Sequence, residues 1–130
     1  MASIFTRIIE GAIPCYKILE DESFLAFLDV SPLVKGHTLV IPKTEIDYIF
    51  DIDDRLLGEM MVFSKKVAHA IKLAIPCVKV GVSVIGLEVP HAHIHLIPMN
   101  RVDEMNFVRQ KLILTSDEMV SISESIRTKL

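Results

Sequence analysis

The chain has 130 residues, 51% of them hydrophobic and 24% charged, which fits one folded domain with a closed core and excludes a disordered or acidic solvating segment. Lys plus Arg number 14 against 17 Asp plus Glu, a net charge of −3, so there is no basic face for nucleic acid, and no uncharged run is long enough to span a bilayer. The first seven residues lack a secretion-signal pattern, and Cys15 and Cys77 lack metal-ligand spacing, so the expected location is a reducing cytoplasm.

With Pro and Gly sparse and no internal repeat, residues 1–130 are expected to form a single domain. Residues 4–10 read as one short apolar turn or strand. Residues 16–20 and 24–29 are β-prone runs around Asp21-Glu22-Ser23 and predict a hairpin, ended by Ser31-Pro32. Residues 37–42 predict a third strand between Gly36 and Pro42. Leu56, Met60, Phe63, Val67 and Ile71 recur at helical spacing and predict a long helix over 54–73, opened by Asp53-Asp54 and closed before Pro76. Residues 79–85 alternate, with Val80, Val82 and Val84 on one face, and predict a half-buried strand. Residues 92–98 predict another. After Arg101 come a loop, an apolar patch at Leu112 to Leu114, and a helix over 116–129. A Thr115/Glu118 capping box opens that helix, and Met119, Ile122 and Ile126 face inward. The apolar content of this tail predicts that it packs. Five strands dominated by hairpins, with one long and one terminal helix, make an α+β fold with an antiparallel sheet.

The chemistry lies in His91, His93 and His95. On an extended strand all three point to one face, about 6.5–7 Å apart at the backbone, while Ala92, Ile94 and Leu96 face the core. One reading is a Zn²⁺ site, although the outer two imidazoles, along about 13 Å of strand, reach a single ion poorly. The other makes one histidine a nucleophile or acid/base and lets its neighbours orient it and handle charge. A neutral imidazole can donate one N–H and keep the other nitrogen free to attack, and a protonated neighbour can stabilise charge on phosphate. His69 on the long helix reads as a surface residue, and both cysteines read as small buried residues.

The run His91-Ala92-His93-Ile94-His95-Leu96-Ile97-Pro98 resembles the signature of the histidine triad (HIT) superfamily. Ile4-Phe5-Thr6-Arg7-Ile8-Ile9 with Ile13-Pro14 resembles the N-terminal segment of its Hint branch, and Phe27-Leu28-Asp29-Val30-Ser31-Pro32 followed by Gly36-His37-Thr38-Leu39-Val40-Ile41-Pro42-Lys43 resembles its nucleoside-binding stretch. The resemblance covers about residues 4–101 and leaves 102–130 as a C-terminal extension. It implies a HIT-like fold, a homodimer with a continuous sheet, and no metal or other cofactor. It also implies attack on the α-phosphorus of purine nucleoside 5′-monophosphate derivatives, such as adenosine 5′-monophosphoramidate, through a nucleotidyl-histidine. The alternatives are a dinucleoside polyphosphate hydrolase and a purine-nucleotide-binding regulator with weak activity.

By the same resemblance His93 is the nucleophile, His91 and His95 contact phosphate or leaving group and fix its tautomer, and His37 buttresses the triad. Asp29 takes the ribose hydroxyls, and Ile4, Phe5, Ile8, Phe27 and Val30 form the purine pocket. The chain departs from the family pattern at Val80, where Asn or Gln is common, and at Leu87-Glu88, where Gln and a hydroxyl residue are common. Ser83 or backbone N–H groups of the loop are the candidates to compensate, and Glu88 stands beside the expected phosphate position.

Overall fold

The computed structural model describes residues 2–130. Five strands, β1 (Lys17–Glu20), β2 (Phe24–Leu28), β3 (Thr38–Pro42), β4 (Lys79–Ser83) and β5 (Ile94–Met99), form one antiparallel sheet in the order β1-β2-β3-β5-β4. Among the described residues three α-helices accompany it, α1 (Ile4–Ile9), α2 (Asp54–Ala74) and α3 (Ser116–Arg127), with short 3-10 turns at Ile49–Asp51 and Val102–Met105. Among the described residues no helix is long and apolar enough to cross a membrane.

The main core lies on one face of the sheet. Met60, Phe63, Val67, Ala70 and Ile71 of α2 pack on Phe24, Ala26, Leu28, Val40, Ile94 and Leu96. This is the stripe that the helical spacing predicts, and the strand residues are the alternate positions that share one face. Asp53 caps α2, its side chain accepting from Leu56 N–H. The Thr115/Glu118 capping box starts α3 as expected, and Met119 and Ile126 enter the same core. The Arg127 guanidinium donates to the Lys17 carbonyl at 2.6 Å, fastening α3 to β1.

The opposite face carries a second, smaller core of Phe5, Leu25, Phe27, Leu39 and Ile41. It exists because residues 4–9 form a helix, not the expected turn or strand. Ser3 accepts from Thr6 N–H and nucleates α1, Gly11 ends it at φ +82°, and Phe5 and Ile8 then fall one turn apart against the sheet.

Other expectations change in detail. β4 is an edge strand, so its valine face is only partly covered: Val82 is 50% exposed. Cys15 and Cys77 are half-buried free thiols and not core residues. The tail packs through α3, Phe107, Leu112 and Leu114, while Val102, Val108 and Ile113 lie open to solvent. His69 is exposed, as expected.

Candidate active site

The three triad histidines do not line up on one strand. β5 begins only at Ile94, because Ala92 N–H leaves the ladder for the Ile46 carbonyl at 2.7 Å. His95 alone stands in the sheet, beside Leu39 of β3 and Ser83 of β4. His91 and His93 lie in the irregular segment before it. The row is also not an open surface: His91 is fully buried and His93 and His95 are each 7% exposed. Phe5 covers one side, its ring centroid 5.7 Å from that of His91 and 4.9 Å from that of His93. Phe107 of the tail covers the other, 4.7 Å from His95 and 6.2 Å from His37.

Hydrogen bonds fix the proton on each ring. A carbonyl can only accept, so His93 Nδ1–H donates to the His91 carbonyl at 2.8 Å. In the neutral ring Nε2 therefore keeps its lone pair, and it has no hydrogen-bond partner among the described residues. His91 Nε2–H likewise donates to the Pro42 carbonyl at 2.8 Å, and its Nδ1 faces the Ser3 hydroxyl at 2.8 Å. Both nitrogens of His91 are thus bound to protein, and its side chain has none left for phosphate or leaving group. His91 therefore bears on His93 through its backbone carbonyl, which sets the tautomer of that ring.

His37 completes a second chain. Its Nδ1 accepts from Leu33 N–H at 3.0 Å, so Nε2 carries the proton and donates to His95 Nδ1 at 2.9 Å. His95 in turn carries its own proton on Nε2. Burial lowers the pKa of His37 to about 3, with help from His95, and burial, aided by His93, lowers that of His95 to about 4. Both are neutral at pH 7, so the protonated neighbour considered from sequence is replaced by a neutral N–H donor on His95.

Asp29 lies at the end of β2 with Oδ2 3.6 Å from His37 Nε2, while Oδ1 accepts from Ser31 N–H at 2.9 Å, an Asx turn. Burial raises the pKa of Asp29, and the nearby charge of Glu88 adds to this. Asp29, His37 and His95 lie close enough to share a metal ion. Their wiring opposes it: a metal on His37 Nε2 would need the proton moved to Nδ1, which already accepts from Leu33 N–H.

Of the expected purine pocket, Phe5 and Phe27 meet at 5.6 Å and Ile8 packs beside them, with Val89 closing the cluster. Ile4 is 48% exposed and Val30 is 71% exposed, and neither joins this cluster. Ser83 is half-buried, paired in register with His95, and Glu88 is exposed at the end of the 84–88 loop.

Four residues that sequence reading passed over also belong here. They are Ser3, which bonds His91, Glu45, which holds Ser3, and Phe107 and Lys111 of the tail. The positive charge of Lys111 lowers the pKa of both Asp29 and His37. No local motif marks them, because each acts across tens of residues of chain.

Known proteins resemble this chain along most of its length. The HIT domain family matches residues 10–102. A HIT-like protein of Borreliella burgdorferi is 36% identical over 131 residues, covering 95% of this chain and 94% of that protein. An adenosine 5′-monophosphoramidase of Schizosaccharomyces pombe is 33% identical over 132 residues, covering 100% of this chain and 99% of that one. Among solved structures, a HIT-like protein of Bartonella henselae superposes with a TM-score of 0.86 at 28% identity, covering 98% of this chain and 96% of that one.

Proposed function

This chain belongs to the HIT domain family, and from that premise we propose that it is a nucleotide hydrolase whose His93 attacks the α-phosphorus of a purine nucleoside 5′-monophosphate derivative of the adenosine 5′-monophosphoramidate kind. The observation that carries the reading is the single bond from His93 Nδ1–H to the His91 carbonyl, which leaves the Nε2 lone pair unpartnered. The S. pombe relative's name supplies the substrate class.

In the proposed reaction Nε2 forms a bond to phosphorus as the P–N bond to the leaving amine breaks, and the amine departs with a proton taken from solvent. Water then adds to phosphorus and gives one proton back to solvent, the N–P bond breaks, and adenosine monophosphate leaves while His93 returns to neutral. His95 Nε2–H is the donor to a non-bridging phosphate oxygen, a role that suits a neutral ring locked by His37. Asp29 Oδ2 takes a ribose hydroxyl, and Phe5, Ile8 and Phe27 receive the base. The exposed Glu88 favours substrates with little charge beyond the α-phosphate, so a phosphoramidate fits better than a dinucleoside polyphosphate. A regulator with weak activity is the second reading, favoured by the burial of His93 under Phe5.

Incubation of wild type and His93→Ala with adenosine 5′-monophosphoramidate, chelator present, tests this. Release of adenosine monophosphate is expected from wild type and should fall at least ~100-fold in the variant, about 3 kcal/mol of barrier. Binding of adenosine monophosphate without turnover by either protein would favour the regulator. The same reading includes a homodimer joined along β4 and α2 into a continuous sheet.

A further inference from the structure

We infer that Ser3 and Glu45 are positioning residues for the His93 nucleophile, acting through a hydrogen-bonded latch on His91. The inference rests on the role proposed for His93. Its observation is a convergence of four groups from three distant parts of the chain. Glu45 Oε1, in the loop after β3, accepts from Ser3 N–H at 2.7 Å and from the Thr6 hydroxyl at 2.6 Å. Ser3 Oγ accepts from Thr6 N–H at 3.0 Å and lies 2.8 Å from His91 Nδ1.

The direction of the Ser3–His91 bond follows from the far side of the ring. Nε2–H is committed to the Pro42 carbonyl. Burial keeps the imidazole neutral by lowering its pKa, so Nδ1 is an acceptor and the serine hydroxyl must donate. The one hydroxyl proton of Ser3 therefore goes to His91. The alternative acceptor, Thr6 Oγ, is more distant at 3.3 Å.

The latch has two consequences at His93. It holds the His91 backbone, whose carbonyl accepts from His93 Nδ1–H and so keeps the lone pair on Nε2. It also holds α1 on the sheet, which seats the Phe5 ring 4.9 Å from His93. Glu45 stays a carboxylate throughout, because the Thr6 hydroxyl and the Ser3 amide hold its pKa down to about 2.

Helix capping alone would give Ser3 a simpler role, and two substitutions separate the roles. Aspartate caps a helix as well as serine does but has no proton for a neutral His91 Nδ1. Threonine keeps both functions. Ser3→Ala and Ser3→Asp should each lower kcat for adenosine 5′-monophosphoramidate about 10- to 100-fold with KM changed less than threefold, the cost of a misplaced nucleophile. Ser3→Thr should restore most of it.

Ring ¹⁵N spectra of His91 and His93 give a readout that needs no turnover. Wild type should show the Nε2–H tautomer of His91 and the Nδ1–H tautomer of His93, and both should mix in Ser3→Ala and Ser3→Asp. Wild type without activity but with these tautomers would overturn the hydrolase reading and leave the latch standing. Wild-type kcat and tautomers in Ser3→Asp would reduce Ser3 to a cap and overturn the latch. Should the Ser3 variants fail to fold, Glu45→Ala at an exposed position decides: a several-fold loss of kcat at constant KM supports the inference, and unchanged kcat overturns it.

Discussion

Burial of His37 and His95 sets a pH dependence that can be signed. Their folded pKa values, about 3 and about 4, lie below the unfolded value of about 6.5. Above pH 6.5 neither state binds a proton there, and the contribution to stability is fully present. As pH falls below 6.5 the unfolded chain takes up protons that the native rings refuse. Stability then drops by up to about 1.4 kcal/mol per pH unit for each histidine until the folded pKa is reached. His91, lowered for the same reason, adds to the effect. Urea unfolding should therefore show a midpoint that falls steadily from pH 7 to pH 4.5. His95→Gln should flatten that slope, because glutamine cannot titrate. An equal slope in the variant would mean that carboxylates, and not this buried cluster, govern acid unfolding.

At the scale of elements, α2, α3 and the five strands were legible in the sequence because each carries its own periodicity and stop signals. The stripe from Leu56 to Ile71 and the Thr115/Glu118 box are local facts. The helix α1 was not legible: Ile4, Phe5, Ile8 and Ile9 are β-branched or aromatic and locally favour a strand. The Ser3 cap and the docking of Phe5 and Ile8 on the sheet outweigh that propensity. The tautomer of His91 and the burial of the triad were hidden for a related reason, since they depend on Pro42, Ser3 and Phe107, all outside the triad's own segment. The tail illustrates the difference between a family boundary and a folding boundary. The HIT match ends at residue 102, yet Met119 and Ile126 of α3 are buried in the main core. Truncation after residue 101 would uncover that core, and each lost apolar side chain of this size is worth about 2–5 kcal/mol. The truncated chain should be insoluble or lose its cooperative thermal transition. A truncated protein melting within a few degrees of the full chain would show that α3 is an ornament.

For the whole molecule the open question is what covers the β4 side. β4 is an edge strand, and a long edge with exposed valines is ordinarily protected from adventitious pairing. Here Val78 is 63% exposed and Val82 is 50% exposed, and α2 exposes Val62 on the groove it shares with Val80. Val62, Ala68 and Val80 line a groove of about 540 Å³ between helix and strand, rimmed by Lys65, Lys66 and Lys72. A second copy of the chain is the occupant that fits the proposed homodimer. A two-fold axis at the edge would pair β4 with its mate, satisfy both rows of backbone groups, and bring the two α2 faces together. An interface of this kind needs on the order of 1,200–2,000 Å² of buried surface to persist. Sedimentation should give twice the chain mass at micromolar concentration. Val82→Lys should yield a monomer that keeps its fold, because the side chain is half exposed in the single chain and a lysine there meets its own symmetry mate only in the dimer. A wild-type monomer would remove the continuous sheet from the proposal and leave the β4 edge in need of another partner.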